Sequence, residues 1–217
     1  KLNMDAKFVE DRWSRNIIAE LKGSTHPEEI VVIGGHMDSW DVGQGAHDDA
    51  GGCIAAWRAV TLIKELGLRP RRTLRVVLWT NEENGSRGSR NYRNEHLNEL
   101  ENHILAIESD GGVFAPQGFG FTGNKEARKV VYDIADLLDP IGAGKITNWG
   151  KAPDIAILND EGVPVMSLNV DNSKYFWYHH TSADTFDKVD YGEFNDCIAA
   201  MAIMAYVVAD MEQRLPR

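Results

Sequence analysis

Short apolar runs alternate along the chain with stretches whose apolar positions recur at helical spacing. Val31-Val32-Ile33 runs into Gly34-Gly35 and reads as a buried strand with a loop at its carboxyl end. The run LRVVLW (74–79) predicts a second buried strand, residues 104–107 a third and residues 165–168 a fourth. Between them, residues 50–66 have helical apolar spacing and stop at Gly67, and residues 124–138 form an amphipathic pattern closed by Pro140. A long C-terminal helix is predicted from Tyr191 to about Arg214, packing through Ile198, Met201, Ala205 and Val208. Strands alternating with helices predict an α/β fold with a mixed, largely parallel central sheet flanked by helices. No repeat and no Pro/Gly/Ser linker divides residues 1–217, so one domain is expected. In such sheets ligands bind beyond the carboxyl ends of the strands, which is where the unusual polar clusters of this chain fall.

Composition narrows the partners. With 43% hydrophobic residues the chain can bury one sizeable core. A net charge of -10 and a pI near 5.1 argue against nucleic acid or an anionic membrane as partner. Bound divalent cations would offset part of that charge. The two cysteines, Cys53 and Cys197, lack structural-zinc spacing and read as small core residues. The longest nearly apolar stretch, 197–209, is shorter than the ~18 residues a membrane span needs. A start at Lys1, without Met or an apolar leader, gives the expectation of a C-terminal portion of a longer polypeptide.

Five clusters carry the candidate chemistry. In GGHMDS, His36 and Asp38 are two apart and point the same way in extended chain. That suits a metal-ligand histidine whose other ring nitrogen is held by a carboxylate, although the pair alone also fits a hydrogen-bonded loop. In GAHDDAGG, Asp48 and Asp49 could simply cap a helix, or Asp48 could serve two metals. In NEENG, the adjacent Glu82 and Glu83 repel one another unless a cation or proton intervenes. One could then bind metal while the other takes a proton from water. ESDGG offers Asp110, and HHTSADT offers His179 and His180 after the aromatic run 175–178. Each cluster has a bland structural reading. Together they supply the Asp, Glu and His groups that zinc accepts, each after a strand or beside one.

In this order the five motifs resemble the metal-site motifs of the aminopeptidase and glutamate-carboxypeptidase family of co-catalytic zinc peptidases, and the resemblance spans nearly the whole chain. It implies a zinc-exopeptidase-like three-layer fold and two Zn²⁺ as cofactors. Carried over residue by residue, it makes His36, Asp48, Glu83, Asp110 and His180 the metal ligands. Asp48 would bridge the two zincs, His36 and Asp110 completing one site and Glu83 and His180 the other. Glu82 would be the general base, Asp38 the carboxylate orienting His36, and His179 or Tyr178 the donor to the oxyanion. A cis Asp48-Asp49 peptide is also implied, and His47 would stand beside the ligands without being one. The implied substrate is a short peptide or dipeptide cut at one end, by a carboxypeptidase or dipeptidase, with aminopeptidase specificity as the alternative. A homodimer, secreted or lysosomal, is implied as well. Rival readings are a non-catalytic receptor or scaffold domain that keeps the fold, and a single-zinc relative of the glutaminyl-cyclase kind.

Overall fold

Among the described residues, seven strands form one sheet: β1 (Ile17–Leu21), β2 (His26–His36), β3 (Arg72–Trp79), β4 (His103–Glu108), β5 (Pro116–Thr122), β6 (Lys145–Thr147) and β7 (Val165–Val170). Their order is β1-β3-β2-β4-β7-β5-β6. β3, β2, β4 and β7 are mutually parallel, whereas β1 runs antiparallel to β3 and the β5-β6 pair runs antiparallel to β7. The computed structural model describes residues 2–5, 7 and 9–217, so Lys1 lies outside the described residues. The mixed, largely parallel sheet expected from the sequence is the one observed.

The helices are α1 (Gly51–Glu65), α2 (Arg87–Glu95), α3 (Lys125–Ala135), α4 (Pro153–Asp160), the single turn α5 (Tyr175–Tyr178) and α6 (Tyr191–Asp210). They cover both sheet faces. Val31 and Ile33 of β2 pack in one core with α1, α3 and α6, while Ile30 and Val32 pack in a second core with α2 and α4. Burial on both faces is why the central strands read as unbroken apolar runs rather than as an alternation. By length and composition α6 would also suit a bilayer. Here Cys197, Ile198, Met201, Ala205 and Val208 bury its apolar face in the first core.

Some elements escaped the sequence pattern for physical reasons. β1 is an exposed edge strand, β5 (PQGFGFT) is interrupted by glycines, and β6 has only three residues. α2 (RGSRNYRNE) is almost wholly polar and buries only Gly88, Ser89 and Tyr92. The expected helix over 124–138 leaves α geometry after Ala135 and continues as a tighter turn through Pro140. The last helix stops at Asp210.

A buried relay fixes α2 against the start of β4. Arg75 donates to the Tyr92 hydroxyl at 2.8 Å. That hydroxyl lies 2.8 Å from His103 Nε2, and His103 Nδ1 lies 3.0 Å from the Glu99 carbonyl. The relay closes when Nδ1 donates and Nε2 accepts, so His103 must be neutral. Burial lowers its pKa to about 4. Between that value and the unfolded value near 6.5 the unfolded chain binds the extra proton, so stability is full above ~6.5 and falls as pH drops towards 4. The expected loss is on the order of 3 kcal/mol. Urea midpoints measured from pH 7.5 to 4.5 should fall less steeply in His103→Gln than in the parent; equal slopes would remove His103 as the cause.

Candidate metal centre

The carboxyl ends of β2, β3 and β4 converge on one point. His36 closes β2, Glu82 and Glu83 lie just past β3, and Asp110 lies two residues past β4. The turn between β2 and α1 contributes Asp48, and the turn after α5 contributes His179 and His180. The Asp48-Asp49 peptide is cis. The two aspartates have opposite duties. Asp49 is buried, accepting from His36 N–H at 3.0 Å and from Gly52 N–H at 3.0 Å, so it ties β2 to the first turn of α1. A side chain at Gly35 would sit 2.4 Å from the Asp49 carboxylate, which requires glycine there. Asp48 faces the other way, into the convergence.

Asp48 uses its two oxygens on two sides. Its Oδ1 lies 3.2 Å from His36 Nε2, which is also 3.1 Å from Asp110 Oδ1. Its Oδ2 lies 3.2 Å from His180 Nε2, which is also 3.0 Å from Glu83 Oε2. His179 Nε2 is 3.6 Å from the same Oδ2, and the two imidazoles stack with centroids 3.6 Å apart. His36, Asp48 and Asp110 form one group positioned to hold a metal ion, and Asp48, His179 and His180 form a second. The sequence reading placed Glu83 in the second group; the structure brings both Glu83 and His179 to its edge.

Asp38 departs from its expected contact. His36 Nδ1 lies 2.8 Å from the Asp38 main-chain carbonyl but 3.9 Å from its carboxylate. That carboxylate instead accepts from the backbone N–H groups of Glu82 at 3.0 Å and Glu83 at 3.3 Å. The reason is the turn after β3. Asn81 adopts a left-handed φ of 61°, which directs both amides towards Asp38. Donation from Nδ1 to the carbonyl leaves the Nε2 lone pair of His36 facing Asp48 and Asp110, as metal ligation requires.

The electrostatics call for a cation. Burial, then the Asp110 charge, pushes the Glu82 carboxyl up to about 7. Burial and Asp48 raise Glu83, and burial raises Asp110. Burial alone would lower the His36 pKa, but its hydrogen bonds to Asp110 and Asp48 hold it well above the ordinary value. Too many anions face too few protons. Asp48 Oδ2 and Glu83 Oε1 are also buried without a hydrogen-bond partner. Orphaned carboxylate oxygens between two imidazoles fit divalent cations with nitrogen and oxygen ligands.

Several neighbours support the centre. Asp184, the aspartate of HHTSADT, is buried and accepts from His47 N–H at 2.7 Å and Asp48 N–H at 3.1 Å, anchoring the turn that presents Asp48. His47, expected beside the ligands, is fully buried and stacked on Phe114 at 4.2 Å between ring centroids. Tyr178 stacks on both His47 and Phe114, whereas burial, then the Asp48 and Asp110 charges, raise the pKa of the nearby Tyr175 phenol. Two clefts flank the centre. One of about 790 Å³ is lined by Asp38, Thr80, Asn84 and Arg87, and one of about 260 Å³ opens beside Gly111.

A parallel-centred α/β sheet whose strand ends gather two adjoining metal-capable groups around one shared carboxylate fits the class of metallopeptidase folds. Residues 16–205 match the description Peptidase family M28, and the chain belongs to that family. It is 46% identical to human carboxypeptidase Q (Homo sapiens) over 217 residues, covering all of this chain and 46% of the relative. The Xenopus laevis carboxypeptidase Q is 47% identical with the same coverage. The chain therefore spans about half the length of these curated relatives. Among solved structures, a peptidase M28 precursor from Shewanella amazonensis SB2B superposes with a TM-score of 0.89 at 40% identity, covering 93% of this chain and 46% of that one. An aminopeptidase from Aneurinibacillus sp. strain AM-1 shares the fold, with a TM-score of 0.71 at 24% identity, covering 93% of this chain and 49% of that one.

Proposed function

We propose that residues 1–217 are the catalytic portion of a di-zinc exopeptidase that removes a terminal residue from dipeptides or short peptides. The observation carrying this reading is the division of Asp48 between two imidazole groups, Oδ1 towards His36 and Oδ2 towards His180. In this reading His36, Asp48 and Asp110 hold one Zn²⁺, and Asp48, Glu83 and His180 hold the other. When bound, paired divalent cations acidify a shared water and polarise the scissile carbonyl.

The chain's own residues do the rest. Glu82, with Oε2 3.9 Å from His36 Nε2, takes the proton of the attacking water and returns it to the leaving amine. Bound cations would offset the carboxylate repulsion that raises its pKa but not the burial, so it stays basic enough to accept and acidic enough to donate. Asp38 positions Glu82 and Glu83 through their amides, and His179 donates to the developing oxyanion. Carboxypeptidase or dipeptidase action is favoured by the 46% identity to carboxypeptidase Q. An aminopeptidase is the second reading, supported by a 31% identical match over 147 residues to a probable leucine aminopeptidase 2 of Aspergillus oryzae. A homodimer, secreted or lysosomal, completes the proposal.

Product analysis tests it. The zinc-loaded protein should cleave a free dipeptide and its N-acetylated form but not a tripeptide blocked at both ends. Cleavage restricted to substrates with a free amino terminus would replace carboxypeptidase by aminopeptidase. A protein that takes up no zinc would end both readings.

A further inference from the structure

We infer that the cleft beside Gly111 is the seat of the substrate's free α-carboxylate, with Lys145 as its cation; this rests on the exopeptidase reading above. The cleft, of about 260 Å³, is lined by Gly111, Gln117, Lys145, Thr147, Asn169 and Asn172 among others. That volume lies near the lower end of ligand pockets and suits one terminal residue rather than a long peptide.

Topology sets the cleft at the same end of the sheet as the metal centre. Gly111 directly follows Asp110. β7 runs parallel to β4 and ends at Val170. β5 runs antiparallel to β7 and β6 parallel to β5, so both begin at that end, with Gly118 paired to Lys145. Lys145 is thus three strand spacings from β4, roughly 14 Å, and its side chain lines the space between. A dipeptide with its scissile carbonyl at Asp110 would extend its terminal carboxylate into that interval.

Charge explains why a cation is needed there. A substrate carboxylate taken out of water, in a chain of net charge -10, needs a paired counter-charge and hydrogen-bond donors. Among the described residues, Lys145 is the one cation lining this cleft, and it enters no ion pair. Neutral donors accompany it. Asn169 Nδ2 donates to Thr147 Oγ1 at 3.0 Å, which leaves the Thr147 hydroxyl proton free to point at a ligand.

The test compares alanyl-phenylalanine with its C-terminal amide on the zinc-loaded protein. Lys145→Ala should raise KM for the free acid roughly 10- to 100-fold, the scale of a charge-assisted hydrogen bond, with kcat changed by less than about twofold. KM for the amide should not move, and Lys145→Arg should restore part of the affinity for the acid. Calorimetric binding of phenylalanine against phenylalanine amide should give the same ordering without turnover. An equal effect on acid and amide, or none on either, overturns the assignment while leaving the exopeptidase reading intact. A zinc-loaded parent that cleaves neither compound defeats that reading and the inference together.

Discussion

Glu82→Gln is expected to keep the zinc content of the parent and to lose roughly 10²- to 10⁴-fold in kcat, the range a positioned general base contributes. The amide is nearly isosteric with the carboxylate, and the backbone N–H of residue 82 still donates to Asp38 at 3.0 Å, so the turn after β3 keeps its shape. What disappears is the capacity to accept a proton. KM should change little, because the loss falls on the transition state and not on the bound substrate. Zinc measured by atomic absorption together with steady-state kinetics checks both halves. Turnover equal to the parent's would remove Glu82 from the base role, and loss of metal would make it a ligand instead.

Asp48→Ala is expected to abolish stoichiometric binding of both zincs, where Glu83→Ala or Asp110→Ala weakens one. Among the described residues, Asp48 is the only side chain within 3.2 Å of both His36 and His180. Without it each side keeps two of its proposed ligands, short of the four-coordinate shell zinc favours. Affinity should fall by more than ~100-fold, since even changes one shell further out cost roughly 10–100-fold. The metal-free variant should move in the opposite direction. Asp48 Oδ2 is a buried, unpartnered carboxylate oxygen in a crowded anionic site, so its removal should stabilise the metal-free fold by about 1–3 kcal/mol. Zinc titration and thermal melts with and without chelator read the two effects separately. A variant that still binds two zincs tightly would show that Asp48 bridges nothing.

Much of this was legible before any coordinates. The runs at 31–33, 74–79, 104–107 and 165–168 are strands because both sheet faces bury them, and a doubly buried strand writes itself as consecutive apolar residues. The helices α1, α3 and α6 were visible through their spacing and stop signals. β1, β5, β6 and α2 were not, because edge position, glycine interruption, brevity or an almost entirely polar surface erases the periodic signal.

At the centre, the sequence by itself determined which residues are available: His36, Asp48, Glu82, Glu83, Asp110, His179 and His180, each in a loop at or near a strand end. It could do so because short motifs record residue types that few other contexts would tolerate side by side. Tertiary structure alone decided how they are shared. It turned the two oxygens of Asp48 to opposite imidazoles, gave the Asp38 carboxylate to the amides of Glu82 and Glu83, and set Asp184 beneath the Asp48 turn. Those choices depend on distances between side chains that lie as many as 136 positions apart, and no local pattern in a chain encodes a distance of that kind.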